Sequence, residues 1–468
     1  MLACAVDRRR LLSAVASGAL IAAFAPAWAA EIGFTPERFG AKGDGRTDDS
    51  AAFARLSDAV NAAGGGTVVL RRTTYLVGTQ QPGSDLSAGA RLMAFAGCRR
   101  PLVIRGNGAI VRCAPGQRYG MFQPDGSPVA EIVAKGTQGM ARPYAAMIEA
   151  KMCSGGVLIQ DIELDGNSSA LVLGGKRGDK GWQIGCVGVA LRNNPGPERM
   201  VNVSAHHHPH DGFYIDGPRE PTPGVPRQFI SLKADANGRQ GMSIVGGRDY
   251  RIERSNFTRT ARGAVRSAPS AGLDIEAERK KAIRNLAFIG CHFSDNRGCG
   301  MVAASGDTAD VSFTDCTFVG TDNWSAWPNK PGFRFQGCTF AGSVVHPFAD
   351  PDPARATRFI DCLFTDDPAV SSTGRLMLTK SRSSILHPGD NVLLERCRIV
   401  MEHDGMLPVS DGVIYRDCTM SQRSPRRAPT RGRFEGRNVI KGAVDLGSSA
   451  ILGSTVVNGV PVPRTGSV

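Results

Sequence analysis

Three short runs between His210 and Glu278 hold the residues best suited to chemistry: Asp211-Gly-Phe-Tyr-Ile-Asp-Gly217, Gln240-Gly-Met-Ser-Ile-Val-Gly246 and Ala271-Gly-Leu-Asp-Ile-Glu-Ala277. Their glycines fall at 212, 241 and 272, a spacing of 29 to 31 residues. Successive side chains of a strand point to opposite faces. Phe213, Ile215, Met242, Ile244, Leu273 and Ile275 therefore face a core, while Tyr214, Asp216, Ser243, Val245, Asp274 and Glu276 face out. The preceding run, Gly188-Val-Ala-Leu-Arg192, puts Ala190 and Arg192 in the same outward columns. The following run, Gly300-Met-Val-Ala-Ala304, puts Val302 and Ala304 there, so the polar patch is bounded. Arg219, Arg248 and Arg279, each seven residues after a glycine, add a basic row beside it.

Two chemistries would use such a patch. In β-elimination from a uronic acid, a cation neutralises the sugar carboxylate while a base removes the C5 proton. In inverting hydrolysis, two carboxyls about 6.5–9.5 Å apart act as acid and base. The candidate catalytic residues are Asp216, Asp274, Glu276, His210 and Arg239, and the candidate substrate contacts are Tyr214, Gln240, Arg219, Arg248, Arg279, Lys280 and Trp182. Asp211, Asp216, Asp274 and Glu276 together could hold Ca²⁺, which prefers several oxygens. His206-His-His-Pro-His210 is a second cluster able to bind metal, but consecutive histidines on a strand diverge, so only alternate ones should converge. A plain ladder of salt bridges remains the alternative to all of these roles.

The elements that position the patch recur downstream. Phe288-Ile-Gly-Cys-His-Phe293, Phe313-Thr-Asp-Cys-Thr-Phe318, Phe335-Gln-Gly-Cys-Thr-Phe340 and Phe359-Ile-Asp-Cys-Leu-Phe364 share one pattern, continued around Cys397 and Cys418. Steps of mostly 21 to 25 residues are those of a solenoid turn with variable loops. About eleven such turns, at ~4.8 Å per stacked strand, make a rod of roughly 50 Å. Cys291, Cys316, Cys338, Cys362, Cys397 and Cys418 then form an inward ladder of small buried hydrophobes, with no close Cys-x-x-Cys pair to suggest a metal. Insertions are expected at 117–144, 174–185, 219–227, 259–270, 321–330 and 343–356, and Trp182, Trp324 and Trp327 lie in them. An exposed loop tryptophan can stack on a sugar ring.

Phe39-Gly-Ala-Lys-Gly-Asp-Gly-Arg-Thr-Asp-Asp49 leads into a run with Phe53, Leu56 and Val60 on one helical face, then Gly64-Gly-Gly66 and a Tyr75-Leu-Val77 strand. This string closely resembles the N-terminal signature of the pectate-lyase-like superfamily. It departs from the signature at Arg71-Arg72-Thr73, where that family usually has a Pro and Gly before the tyrosine. The resemblance covers residues 39–78 and implies a right-handed parallel β-helix whose first turn this segment caps. Hydrolases, lyases, epimerases and phage tailspikes share the signature, so it speaks to fold and not to chemistry. The Gly-His-Gly and Arg-x-Lys elements of the superfamily's polygalacturonase-type hydrolases are missing from the expected turns.

With 56 Lys and Arg against 43 Asp and Glu, the chain carries a formal charge of +13. That charge fits an acidic polysaccharide, a nucleic acid or an anionic surface; the patch favours the polysaccharide over nucleic acid. Residues 1–30 read as an export signal: Arg8-Arg9-Arg10, an apolar run, then Ala27-Trp28-Ala29 as a small-x-small cleavage site. The arginine pair followed by Leu11-Leu12 resembles a twin-arginine signal. No other stretch reaches ~20 apolar residues, so no membrane span is expected. The expectation is therefore an all-β, periplasmic or secreted protein with one β-helix domain over 31–468, its last turns at 421–468. Its expected activity is cleavage of an acidic polysaccharide, elimination ahead of hydrolysis. C5-epimerisation and non-catalytic binding stay open.

Overall fold

The computed structural model describes residues 33–80 and 85–466; the expected signal segment lies outside them. Near the start, the glycine-rich loop is held by its own acids. Asp49 accepts from the backbone N–H groups of Lys42 (2.6 Å) and Gly43 (3.1 Å), and Asp44 from those of Arg46 (2.9 Å) and Thr47 (2.7 Å). These carboxylates are spent on loop geometry. The loop feeds helix α1, Ser50–Ala62, which buries Ala52, Phe53, Leu56 and Val60 over the open end of the coil. Beside Arg71-Arg72-Thr73, Glu37 ties the turn: one of its oxygens accepts from Arg71 Nε (2.7 Å) and from the Tyr75 hydroxyl (2.6 Å).

Behind this cap the chain winds as a parallel β-helix. One long ladder pairs Gly66–Val69 with Leu102–Cys113, then Val157–Asp165, then Glu198–His206, all parallel, and similar pairings continue to Ser454–Val457. A second ladder carries the candidate residues. It contains β1 Ala146–Lys151, β2 Val187–Arg192, β3 Asp211–Asp216, β4 Gln240–Arg248, β5 Leu273–Ile275, β6 Met301–Ala303 and β7 Ala326–Pro328, each parallel to the next. The antiparallel pairing of Val460–Val462 with Ser454–Val457 closes the last turn.

The interior is stacked in columns. Phe288, Phe313, Phe335 and Phe359 lie with ring centroids 4.8, 5.0 and 5.1 Å apart; Phe293, Phe318, Phe340 and Phe364 lie 4.9, 5.1 and 5.0 Å apart. Each aromatic contact adds about 0.5–1.5 kcal/mol beyond the area it buries. The expected cysteine ladder stands beside them, buried and unoxidised, with Cys316, Cys338 and Cys362 aiming Sγ at the carbonyls of Phe288, Phe313 and Phe335. Two expected insertions are corrected here. The segment 321–330 contains β7 and 343–356 contains the strand Val344–Val345, because Ala326, Val344 and Val345 are small or aliphatic and fully buried. No helix of the described residues is long and apolar enough to cross a membrane.

Candidate functional site

Register builds the site. Along the second ladder Glu149, Ala190, Tyr214, Ser243, Asp274, Val302 and Trp327 are successive partners, so Tyr214, Ser243 and Asp274 share one outward column as their alternation implies. The neighbouring column does not form as expected. A bulge between Ile215 and Asp216 sets Asp216 opposite Gly246 instead of Val245.

That slip encloses Asp216. Its side chain is 4% exposed and forms an ion pair with Lys281, itself 6% exposed, while Arg279 Nη1 lies 3.3 Å away and Arg192 Nη1 4.0 Å away. Lys281 Nζ also donates to Asn193 Oδ1 and the Gly217 carbonyl, both at 2.8 Å. A Cβ on Gly246 would come within 2.6 Å of Lys281 Cδ, so the glycine makes room for the lysine. Arg279 and Lys280 adopt left-handed φ values of 55° and 60°. This leaves Lys280 exposed and sends its neighbour Lys281 inward. A carboxylate so enclosed by cations ties the neighbouring turns together.

Asp211 is equally committed. Fully buried, it accepts from Arg239 Nε (2.8 Å), Arg239 Nη2 (2.7 Å) and the Ser243 hydroxyl (2.9 Å). Burial opposes its ionisation, but Arg239 and then His210 overcome this and hold the carboxyl well below the usual range. The bidentate fork makes the pair strong and fixed in direction. His210 Nδ1 sits 3.2 Å from Asp211 Oδ1 without the alignment of a hydrogen bond; burial and Arg239 push its pKa down, so the ring is neutral.

Asp274 is the group left poised. It keeps an edge open to solvent, yet its carboxyl is pushed up to about 7, by burial first and then by Glu276, with Asp211 and Glu278 adding while Arg239 opposes. Gln240 Nε2 donates to its Oδ2 at 2.6 Å, and Gln240 Oε1 accepts from the Ala271 N–H at 3.2 Å, fixing the amide's orientation. Glu276 accepts from the Ser305 hydroxyl. Glu278 is raised by burial, and by Glu276 and Asp216, against Arg279. Tyr214 lies under Arg192, whose guanidinium carbon is 4.6 Å from the ring centroid. Burial, Glu278 and Asp216 raise its hydroxyl, which stays protonated.

The remaining expected contacts scatter. Arg219 Nη2 donates to the Arg279 carbonyl (3.2 Å), Arg248 pairs with adjacent Asp249 (3.1 Å), and Arg279, 59% exposed, is the member of the basic row that reaches Asp216. Trp182 is corrected from a stacking surface to a packing one: its Nε1 donates to the Gly174 carbonyl (3.0 Å), Lys176 lies over its ring, and it rests on the core. Its loop bonds to 259–270 through Gln183 Nε2, which donates to Ser267 Oγ (3.1 Å) and the Ala268 carbonyl (2.9 Å). Trp327 instead shares the Asp274 column two strands on, and continues through Trp324, His346 and His387 at centroid spacings of 5.2, 5.5 and 5.2 Å.

Among the described residues, the group of three or more His, Cys, Asp or Glu whose ligand atoms lie within 4.8 Å of one another is Asp165, His206 and His207. The four carboxylates expected to hold Ca²⁺ do not gather, because Asp211 faces Arg239 and Asp216 faces Lys281. Sequence reasoning left Ser243, Glu278, Lys281 and Arg192 out of the site. Ser243 and Arg192 were already visible in the outward columns; Lys281 depends on a local turn that alternation does not encode.

No model of a known protein family matches the chain. Over 79 residues, 17% of its length, it is 42% identical to a capsule KN3-specific depolymerase of Klebsiella phage KN3-1. That stretch spans 9% of the phage protein. Among solved structures it is similar to the A-module of a mannuronan C-5 epimerase from Azotobacter vinelandii (19% identity, TM-score 0.42, 92% of this chain and 100% of that one). It is also similar to a hyperthermoactive exopolygalacturonase from Thermotoga maritima (13% identity, TM-score 0.37, 92% and 93%). An N-terminal fragment of the bacteriophage phi29 gene product 12 gives 13% identity and TM-score 0.48, over 98% and 76%. These likenesses concern how the chain is coiled.

Proposed function

We propose that this protein is an exported enzyme that cleaves an anionic polysaccharide, with Asp274 as the proton donor to the leaving sugar oxygen. The observation that carries the reading is the Asp274 carboxyl, held near pH 7 at the mouth of the patch and aimed by Gln240. Inverting hydrolysis divides the labour of acid and base between two carboxyls. Asp274 is the acid; Glu276, on the same rim, is the base that activates water. Arg279 is exposed enough to meet a substrate carboxylate, and the +13 charge draws such a chain in. Trp327 offers the next sugar ring a flat face. The short phage-depolymerase match is consistent with a polysaccharide substrate and a site of action outside the cytoplasm.

We therefore favour hydrolysis over the elimination expected from sequence. Three of the groups expected to remove a C5 proton are poorly suited to it: Tyr214 stays protonated, His210 is buried, and Arg239 is locked to Asp211. The test is incubation with a panel of uronic-acid polysaccharides, following reducing ends and the absorbance of unsaturated products together. New reducing ends without the chromophore support hydrolysis. The chromophore would mean elimination, and binding with neither signal would mean that the face only holds its polymer.

A further inference from the structure

A second cluster lies on the other ladder, away from the acidic patch. The strands Val157–Asp165 and Glu198–His206 are paired in parallel with His206 opposite Asp165. His207 follows in a left-handed conformation, φ 54°, which a β-strand residue does not adopt. The divergence expected of consecutive histidines is thereby cancelled. The two rings meet edge to face, 87° apart, with their Nδ1 atoms 2.7 Å from each other. Asp165 Oδ1 is 3.6 Å from His206 Nδ1.

The surroundings orient these atoms as metal ligands are oriented. His206 Nε2 lies 3.2 Å from Glu163 Oε1, so its proton is held there and its Nδ1 lone pair points at His207 and Asp165. A carboxylate on the far nitrogen is the usual support of a metal-binding imidazole. Arg112 Nε donates to Asp165 Oδ2 at 2.8 Å, and the Asn167 N–H donates to Oδ1 at 2.9 Å, so Oδ1 turns its second lone pair to the histidines. The cluster opens onto a cavity of about 460 Å³ lined by His206, His207, Lys233, Asp235, Thr258 and Arg259, which gives an ion access and room for a water.

We propose that Asp165, His206 and His207 form a binding site for a divalent transition cation of the zinc class, with the fourth position open to the cavity. Two imidazoles and one carboxylate match the ligand preference of that class rather than of Ca²⁺ or Mg²⁺. Zn–N bonds of about 2.0–2.1 Å in a tetrahedron set the nitrogens about 3.3 Å apart, so the rings must part by roughly half an ångström. On binding, the proton shared between the two Nδ1 atoms passes through water to His207 Nε2, and no net charge leaves the site. The ion would clip two successive turns at the corner that leads through His208 to Asp211.

The test uses tag-free full chain, stripped with chelator and titrated calorimetrically with Zn²⁺, Ni²⁺ and Ca²⁺. One equivalent of Zn²⁺ and of Ni²⁺ should bind, and Ca²⁺ should not. His207→Ala and Asp165→Asn should each weaken binding at least tenfold while far-UV circular dichroism stays as in the parent; His207→Gln serves if the alanine variant fails to fold. His387→Ala, at the other close histidine pair, should leave binding unchanged. Absence of one-to-one binding, or binding that survives His207→Ala and Asp165→Asn, or loss on His387→Ala alone, would overturn the site.

Discussion

The Gln240 amide nitrogen lies 2.6 Å from Asp274 Oδ2, across neighbouring strands β4 and β5. A neutral donor steadies the acid without fixing its charge, which is what separates Asp274 from Asp211 and Asp216. Asp274→Asn should therefore lower turnover by about 10²–10⁴-fold, the usual share of one positioned proton donor. The thermal midpoint should hold or rise. A large fall in that midpoint with activity retained would remove Asp274 from the mechanism.

The same carboxyl fixes a pH signature. Its folded pKa, about 7, is raised above its unfolded value, chiefly by burial. Between the two values the native state binds the extra proton, so stability falls as pH rises from the ordinary carboxylate range through about 7 and levels beyond. In Asp274→Asn this slope should flatten in chemical denaturation across that window. The activity should also decline as pH rises through about 7, since the acid form is the working one.

Lys281 and Lys280 make a paired control. Lys281→Ala leaves Asp216 buried without its main partner, a loss of about 3–5 kcal/mol by denaturant titration. Lys280→Ala, at an exposed position, should be within about 0.5 kcal/mol of the parent. Equal effects would mean that the turn at Arg279–Lys280 sends the wrong lysine inward.

Trp327→Ala should raise KM on polymer by about two- to tenfold, the range of one aromatic contact, with kcat little changed. Trp182→Ala should instead lower the thermal midpoint, because that indole packs against the body of the coil. Reversal of the two phenotypes would move the sugar platform to the Trp182 loop.

How much was readable beforehand follows from which interactions are periodic. The Phe-x-x-Cys-x-Phe pattern repeats once per turn, and its register is forced by burial; a slip of one residue would put phenylalanine in water. Tyr214, Ser243 and Asp274 inherit their column from the same constraint. Asp216 breaks from its neighbouring column because a bulge inserts one residue, and a bulge has no signature in alternating polarity. Lys281 and the convergence of His206 with His207 both arise from left-handed residues that are not glycine. Such positions are set by tertiary contacts, which local pattern does not report. Trp327 reads as a loop residue in the sequence because β7 spans only Ala326–Pro328, too short for alternation to register.

The column of unoxidised cysteines also makes the coil its own strain gauge. Each of the six ladder thiols, Cys291, Cys316, Cys338, Cys362, Cys397 and Cys418, is shielded only while the turns on either side of it are seated. Alkylation followed by peptide mapping would thus record where the stack first parts, turn by turn. Modification starting at Cys418 would show unravelling inward from the far end, whereas simultaneous labelling of all six would mark a rod that lets go as a single body.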